Sequence, residues 1–388
     1  YPNLNTWGAY QAYGDPSFIL DLNSAQKRSH ACQQQVSPYE LQDYLNSLHV
    51  DMHHKVRHYD FKTLDEELDQ VATNISNPDW LKTPGTQYQL AQLYGSVLPE
   101  GFAEARRACQ AAIAEEDRNG HVPIVALELM ANLESRQAEA LALQALELKE
   151  DDPERNELFE EAKGLANTAI ERLQGLLSIT KYVQFAAAVD SPVQLSSNTE
   201  RHALLGSAYK RLAMILLQQN HEWQQIKTAL DASLTAYKSA EGTELGAKLK
   251  AYPLINRLQL AIILNQIPTA TCIELLDRAH TVVRSQFAET HEFFDAVMSA
   301  DIDITRLLAS QDQLTQNHED IIKLYKDATQ DVATTSGNFN SVVRQLRILA
   351  QLMSVAAKHL YEANTQLLEL SQNKVEILEK VAAALENQ

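Results

Sequence analysis

From Ser37 onward, apolar residues recur at spacings of three and four, the period of helices that bury one face. Ser37-Pro38-Tyr39-Glu40 supplies a capping side chain, a proline at the first helical position and an acid three residues after the serine. This predicts a helix running to about His58. A second is predicted from about Thr63 to Ile75, stopped by Asn77-Pro78. The first 22 residues follow a different pattern. Thr6 to Ala12 is aromatic and β-prone and the run breaks at Gly14-Asp15-Pro16, which predicts a strand and a turn. With no sheet to join, that segment is expected to pack as a short extended arm.

Between residues 83 and 292 small side chains fall into a repeating order. Leu90-Ala91 with Tyr94 places a large apolar residue, a small one and an aromatic on one helix, and Ala105, Cys109 and Ala112 follow at spacings of four and three. Leu205-Gly206 with Tyr209, then Ala229, Ser233 and Ala236, repeats that order. Ala162, Ala166 and Ala169 make another second helix after a weaker first helix around Ile124 to Ser135. Leu258 and Ile262, then Leu275, Ala279 and Val282, make a fourth, more degenerate unit. Small residues let two helix backbones approach, and large ones fill the space beside them. That is the packing logic of the tetratricopeptide repeat, a helix pair of about 34 residues. An irregular bundle with chance alanine spacing is the alternative. Residues 138–156 and 181–199 read as inserts, so a smooth superhelix is not expected.

Past His291 the repeat order fades. Phe293 to Ser310 and His318 to Thr334 read as two more helices, Thr335-Ser336-Gly337-Asn338 as a break, and Phe339 to Glu386 as one long final helix. Its stripe runs Leu346, Leu349, Met353, Ala356, Leu360, Ala363, Leu367, Leu370, Lys374, Ile377, Val381 and Ala384, and only Lys374 is not apolar. Such a helix either folds back to cap the solenoid or pairs with another chain through a coiled coil. Lys374 favours capping, because a core lysine weakens a dimeric coil, whereas a capping helix lets it reach into water. The resulting expectation is an all-α tetratricopeptide-like solenoid. Its parts are an N-terminal arm at 1–22, linker and adaptor helices at 23–82, repeats at 83–292 and C-terminal helices at 293–388.

Composition narrows the function classes. The chain has 388 residues, 12 glycines and 11 prolines, too few for a sheet protein rich in tight turns. Its net charge of −18 argues against nucleic-acid and anionic-membrane partners, and a basic protein or peptide suits it better. Cys32, Cys109 and Cys272 are far apart and form no CxxC pair, so neither a disulfide framework nor a thiolate zinc site is expected. That usage fits a reducing cytoplasm. The chain starts at Tyr1-Pro2-Asn3 with no basic leader and no initiator methionine, so it is expected to be part of something longer.

The opening run Trp7-Gly8-Ala9-Tyr10-Gln11-Ala12-Tyr13-Gly14-Asp15-Pro16 resembles the closing segment of CHAT domains, caspase-like cysteine peptidases that are mostly bacterial and often fused to tetratricopeptide repeats. Leu204 to Leu212 looks like the repeats that accompany them. The peptidase resemblance covers only about the first 20 residues. The catalytic His and Cys of that family lie upstream of its closing segment, and no position here corresponds to either. The resemblance therefore implies a non-catalytic region that senses a partner, positions substrate or restrains an upstream peptidase.

Other chemistry is thin. His30 and Cys32 stand two apart in a polar linker without an orienting third group, so a linker or packing role is favoured over a nucleophilic dyad. His49 and His53 share one helix face, and His54 and His58 another, but no HExxH occurs and a mixed polar face is the plainer reading. The acidic run Glu147 to Glu161 lacks the alternation of a calcium loop and reads as a solvated insert or a strip for a basic partner. Gly242 and Gly246 lie in no phosphate-binding motif. No cofactor or metal is expected. A concave groove lined by the first helices of the repeats is the expected binding surface, with Gln87, Gln92, Lys210, Asn256 and Gln259 as its polar residues. Solvated side chains are the plainer account of the same five.

Overall fold

The computed structural model describes residues 37–53, 59–114, 121–186, 194–241, 249–290, 293–310, 318–329 and 337–387. The expected N-terminal arm, Cys32, His54 and His58 lie outside them, as does the side chain of His53. Among the described residues there are fourteen α-helices and one 3-10 turn, Pro78–Lys82, and no strand. The first helices are α1 Pro38–His53, α2 Phe61–Asn74, α3 Pro84–Tyr94 and α4 Phe102–Ala114. Next come α5 His121–Glu147, α6 Pro153–Ala186, α7 Gln194–Gln218, α8 Trp223–Ala240, α9 Ala251–Ile263 and α10 Thr269–Thr290. The last four are α11 Phe293–Ala309, α12 His318–Thr329, α13 Gly337–Leu360 and α14 Thr365–Glu386.

Local chemistry sets the helix ends. Asp60 accepts from the Thr63 amide at 2.7 Å at the start of α2, and Thr83 precedes Pro84 to open α3. Helices α7 and α9 end alike. Asn220 (φ 56°) and Asn265 (φ 54°) take the left-handed conformation. The amides of His221 and Gln266 then reach back to the Leu216 and Ala261 carbonyls, a paired closure that satisfies otherwise orphaned acceptors. Two first helices of the array thus share one terminating device.

The helices pack in consecutive pairs, α3 with α4, α5 with α6, α7 with α8, and α9 with α10. First helices also touch one another, α3 with α5, α5 with α7 and α9 with α11. Ala91, Ala105 and Ala112 are fully buried, and Ala229 and Ala236 nearly so. At Gly206 the backbone meets α8 directly. Ser233 Oγ donates to its carbonyl at 2.6 Å, and a Cβ there would stand 2.8 Å from the Tyr237 ring. Tyr94 donates its hydroxyl to Asp65 at 2.9 Å, and the Tyr209 hydroxyl accepts from Gln174 at 2.8 Å. Both tyrosines tie a first helix to a neighbour.

Three expectations need correction. The stretch 138–147 is not an insert. It continues α5, with Ala138, Ala142 and Ala145 buried against Phe159 and Ala162 of α6. Only residues 148–152 leave the helix there, and 181–186 and 194–199 are likewise helical. The acidic side chains between Glu154 and Glu161 ride on the first turns of α6, where negative charge suits a helix N-terminus.

The single long C-terminal helix is also corrected, because it is two helices. The chain breaks at 361–364, and Asn364 caps α14 by accepting from the Leu367 amide at 3.2 Å. Leu360 and Ala363 are exposed at this turn rather than part of a continuous seam. The third correction is Lys374, which does not reach water. It is buried and donates to the Leu308 carbonyl at 2.6 Å, neutralising an orphan acceptor in the last turn of α11.

The largest core lies under this C-terminal hairpin. Leu346, Leu349, Met353 and Ala356 of α13 and Ile377, Leu378 and Val381 of α14 are buried in one cluster. The same cluster includes Met214 of α7, Leu260 of α9 and Ile304 of α11. The hairpin therefore does more than close the last repeat, because α13 lies against the first helices α7 and α9.

Candidate functional site

The side chains expected to line a groove fall into two groups. Gln87 and Gln92 are half-buried on α3, where Gln87 Nε2 donates to the Leu81 carbonyl at 2.6 Å. Lys210 on α7 and Asn256 and Gln259 on α9 are brought together and buried. Lys210 Nζ donates to Asn256 Oδ1 at 2.8 Å and to Gln345 Oε1 at 2.7 Å. Gln345 Nε2 donates to Gln259 Oε1 at 3.1 Å, and Gln259 Nε2 donates to Thr305 Oγ1 at 3.1 Å. These three side chains are not solvated: α13 supplies Gln345, which accepts from Lys210 and donates to Gln259.

Beside this network lies a charged one that sequence reasoning missed. Arg211, next to Lys210, donates from Nε to Glu139 Oε2 at 3.0 Å and from Nη1 to Ser207 Oγ at 2.8 Å. Arg344 of α13 approaches the same Glu139 oxygen at 3.4 Å. Arg136, one helical turn before Glu139 on α5, faces the same cluster. Burial pushes the Glu139 carboxyl up, but Arg211, Arg344 and Lys210 outweigh it and hold it below the usual range. Burial and then Arg211 push Lys210 down to about 7. Burial, then Arg211 and Arg344, push Arg136 down to about 10. Asp301 on α11, hydrogen-bonded by the Tyr325 hydroxyl at 2.6 Å, is pushed up to about 6 by burial. One signal for this cluster stood in the sequence. Glu134-Ser135-Arg136-Gln137 is a polar run inside an alanine-rich helix, and it leads directly into the stretch expected to be an insert.

Of the histidine cluster, only His49 has a described side chain, with Nδ1 at 3.4 Å from Ser96 Oγ. Among the described residues no group of three His, Cys, Asp or Glu side chains is placed to hold a metal ion. Cys109 and Cys272 are buried free thiols, pushed up by burial to about 12 and about 11, which makes them poor nucleophiles. No helix among the described residues is long and apolar enough to cross a membrane.

The described side chains on this face thus form two adjoining networks, one polar around Lys210 and one charged around Glu139. No curated protein matches the chain at a significant level. A family model, Tetratricopeptide Repeats-Sensor (TPR-S), matches residues 64–261, just over half of the chain. The match runs from α2 to α9. It takes in Arg136, Glu139, Lys210, Arg211, Asn256 and Gln259, and it ends before the α13 residues that cover them. Paired helices, small-residue contacts at the repeat positions and this match together show that the chain belongs to the tetratricopeptide repeats-sensor family.

Proposed function

We propose that this chain is the non-catalytic sensing and scaffold region of a CHAT-type caspase-like peptidase, recognising a partner protein or peptide on the inner face of its repeats. One observation carries the recognition role: the paired helices match a tetratricopeptide repeats-sensor model over residues 64–261, and stacked repeats of this kind offer an extended surface suited to a protein or peptide. The link to a peptidase rests on the opening run Trp7 to Pro16. A bacterial, cytoplasmic setting belongs to the same reading and suits the free thiols at Cys109 and Cys272. Gln87 and Gln92 on α3 mark the part of the inner face not covered by α13, and a basic segment is the partner best matched to the net charge.

Self-association through the C-terminal stripe is the second reading. It is weakened by the burial of that stripe against α7, α9 and α11 of the same chain. The test compares this chain with a longer protein that includes the residues preceding Tyr1. Peptide cleavage by the longer protein, abolished by alkylating a cysteine upstream of Tyr1 and absent from the chain alone, is the expected result. Cleavage by the chain alone, blocked at Cys32, would overturn the reading.

A further inference from the structure

Buried arginines in this protein are matched to carboxylates almost everywhere. Arg172 pairs with Glu134 at 2.9 Å, Arg201 with Glu128 at 2.5 Å and Arg257 with Glu241 at 2.5 Å, each arginine with its own acid. The cluster at Glu139 breaks that rule. Arg211 and Arg344 share one carboxylate oxygen. Arg136 is half-buried beside them and makes no hydrogen bond or ion pair within the described residues. Three guanidinium groups thus surround one carboxylate in a chain whose net charge is −18. Like charges held this close repel one another, and a chain rich in acids had ample means to supply a second carboxylate.

We infer that Arg136, Arg211 and Arg344 form a binding site for a small anion carrying at least two negative charges on oxygen, a phosphate ester or a polycarboxylate. Guanidinium forks match the paired oxygens of such groups, and their charge stays on at any physiological pH. The site is reachable. The Arg344 side chain is 41% exposed while that of Arg211 is 19% exposed, so the cluster opens to water on the α13 side and closes toward α5 and α7. Because Arg344 sits on α13 and the other two on the repeats, a bound anion fastens the C-terminal hairpin to the array. Ligand occupancy is thereby converted into the position of a helix. This deepens the sensing half of the proposed function and is independent of any attachment to a peptidase.

The test uses the chain alone, so its failure leaves the peptidase assignment standing. Thermal unfolding is followed while pyrophosphate or citrate is titrated at constant ionic strength with potassium chloride, for wild type, Arg136→Gln and Arg344→Gln. The expected result is a saturable rise in the wild-type midpoint. Affinity should fall by at least about tenfold in each variant, the size expected for losing one charge-assisted contact. Arg136→Gln without ligand should melt no lower than wild type, since it removes an unpaired charge. Amide exchange in α13 should slow when the anion binds. A response to pyrophosphate alone identifies a phosphate-bearing ligand, to citrate alone a carboxylate-bearing one, and to both a site that reads charge density. No saturable rise beyond the chloride control, or a rise unchanged in both variants, would overturn the inference. Arg344→Gln keeps the test decisive if Arg136→Gln fails to fold, because the Arg344 side chain is partly in water.

Discussion

At Gly206 the absence of a side chain is a packing requirement. The Tyr237 ring fills the space a Cβ would need, and the Gly206 carbonyl takes the Ser233 hydroxyl. Gly206→Phe is expected to destabilise the fold by about 1–3 kcal/mol or more through overpacking, read as a lower thermal midpoint. This contact was legible in the sequence, because a small residue in a first helix followed by a four-and-three spacing in the next already implies touching backbones. Lys210 was legible only in part. Its place on a first helix lies in the pattern, but its burial involves Gln345, 135 residues away. That burial has a pH signature. Lys210 titrates near 7 when folded and near its ordinary 10.5 when unfolded. Below the lower value both states carry the proton. Between the two values the unfolded chain holds the extra proton, so this residue's contribution to stability rises with pH. Wild type should therefore gain on Lys210→Met by up to about 1.4 kcal/mol per pH unit across that window. Urea unfolding of both proteins at about pH 6 and about pH 9 checks this, and a constant difference would contradict it.

At the level of elements, the C-terminal hairpin separates burial from pattern. The three-and-four stripe continues through 361–364 in the sequence, but the chain turns there and Leu360 is 36% exposed. Leu360→Asp should change stability by less than about 0.5 kcal/mol, as an exposed substitution does. Leu349→Asp places a charge in a fully buried position and should cost several kcal/mol, giving unfolded or aggregated protein on the same thermal scan. Equal effects at the two positions would mean that the hairpin is misplaced. Periodicity could not reveal the break, since an apolar spacing is indifferent to a turn that happens to preserve it. The local cap could have: Asn364-Thr365 has the chemistry of a helix start, and the strong stripe outweighed it. The supposed insert at 138–156 shows the reverse error. Charges on an exposed helix face do not stop a helix whose other face is alanine.

For the whole molecule, all-α character, paired helices and repeat order were open to sequence reasoning because each depends on residues close along the chain. The covering of the inner face was not, because it depends on where a remote helix lands. That landing has a consequence for how the protein opens. In a plain repeat array every unit touches only its neighbours, so opening spreads from the ends and different parts come apart independently. Here α13 holds α7 and α9 through Lys210, Gln259 and a shared core, joining segments far apart in sequence. The helices from α7 to α14 can no longer peel away one pair at a time. They should behave as one cooperative block, with α1 to α4, which rest on a separate core, opening ahead of it. In native-state hydrogen exchange, amides across α7, α9 and α13 should share one opening free energy. Truncation before Gly337 should split that common value into a graded series, turning a single transition into a spring that unwinds turn by turn.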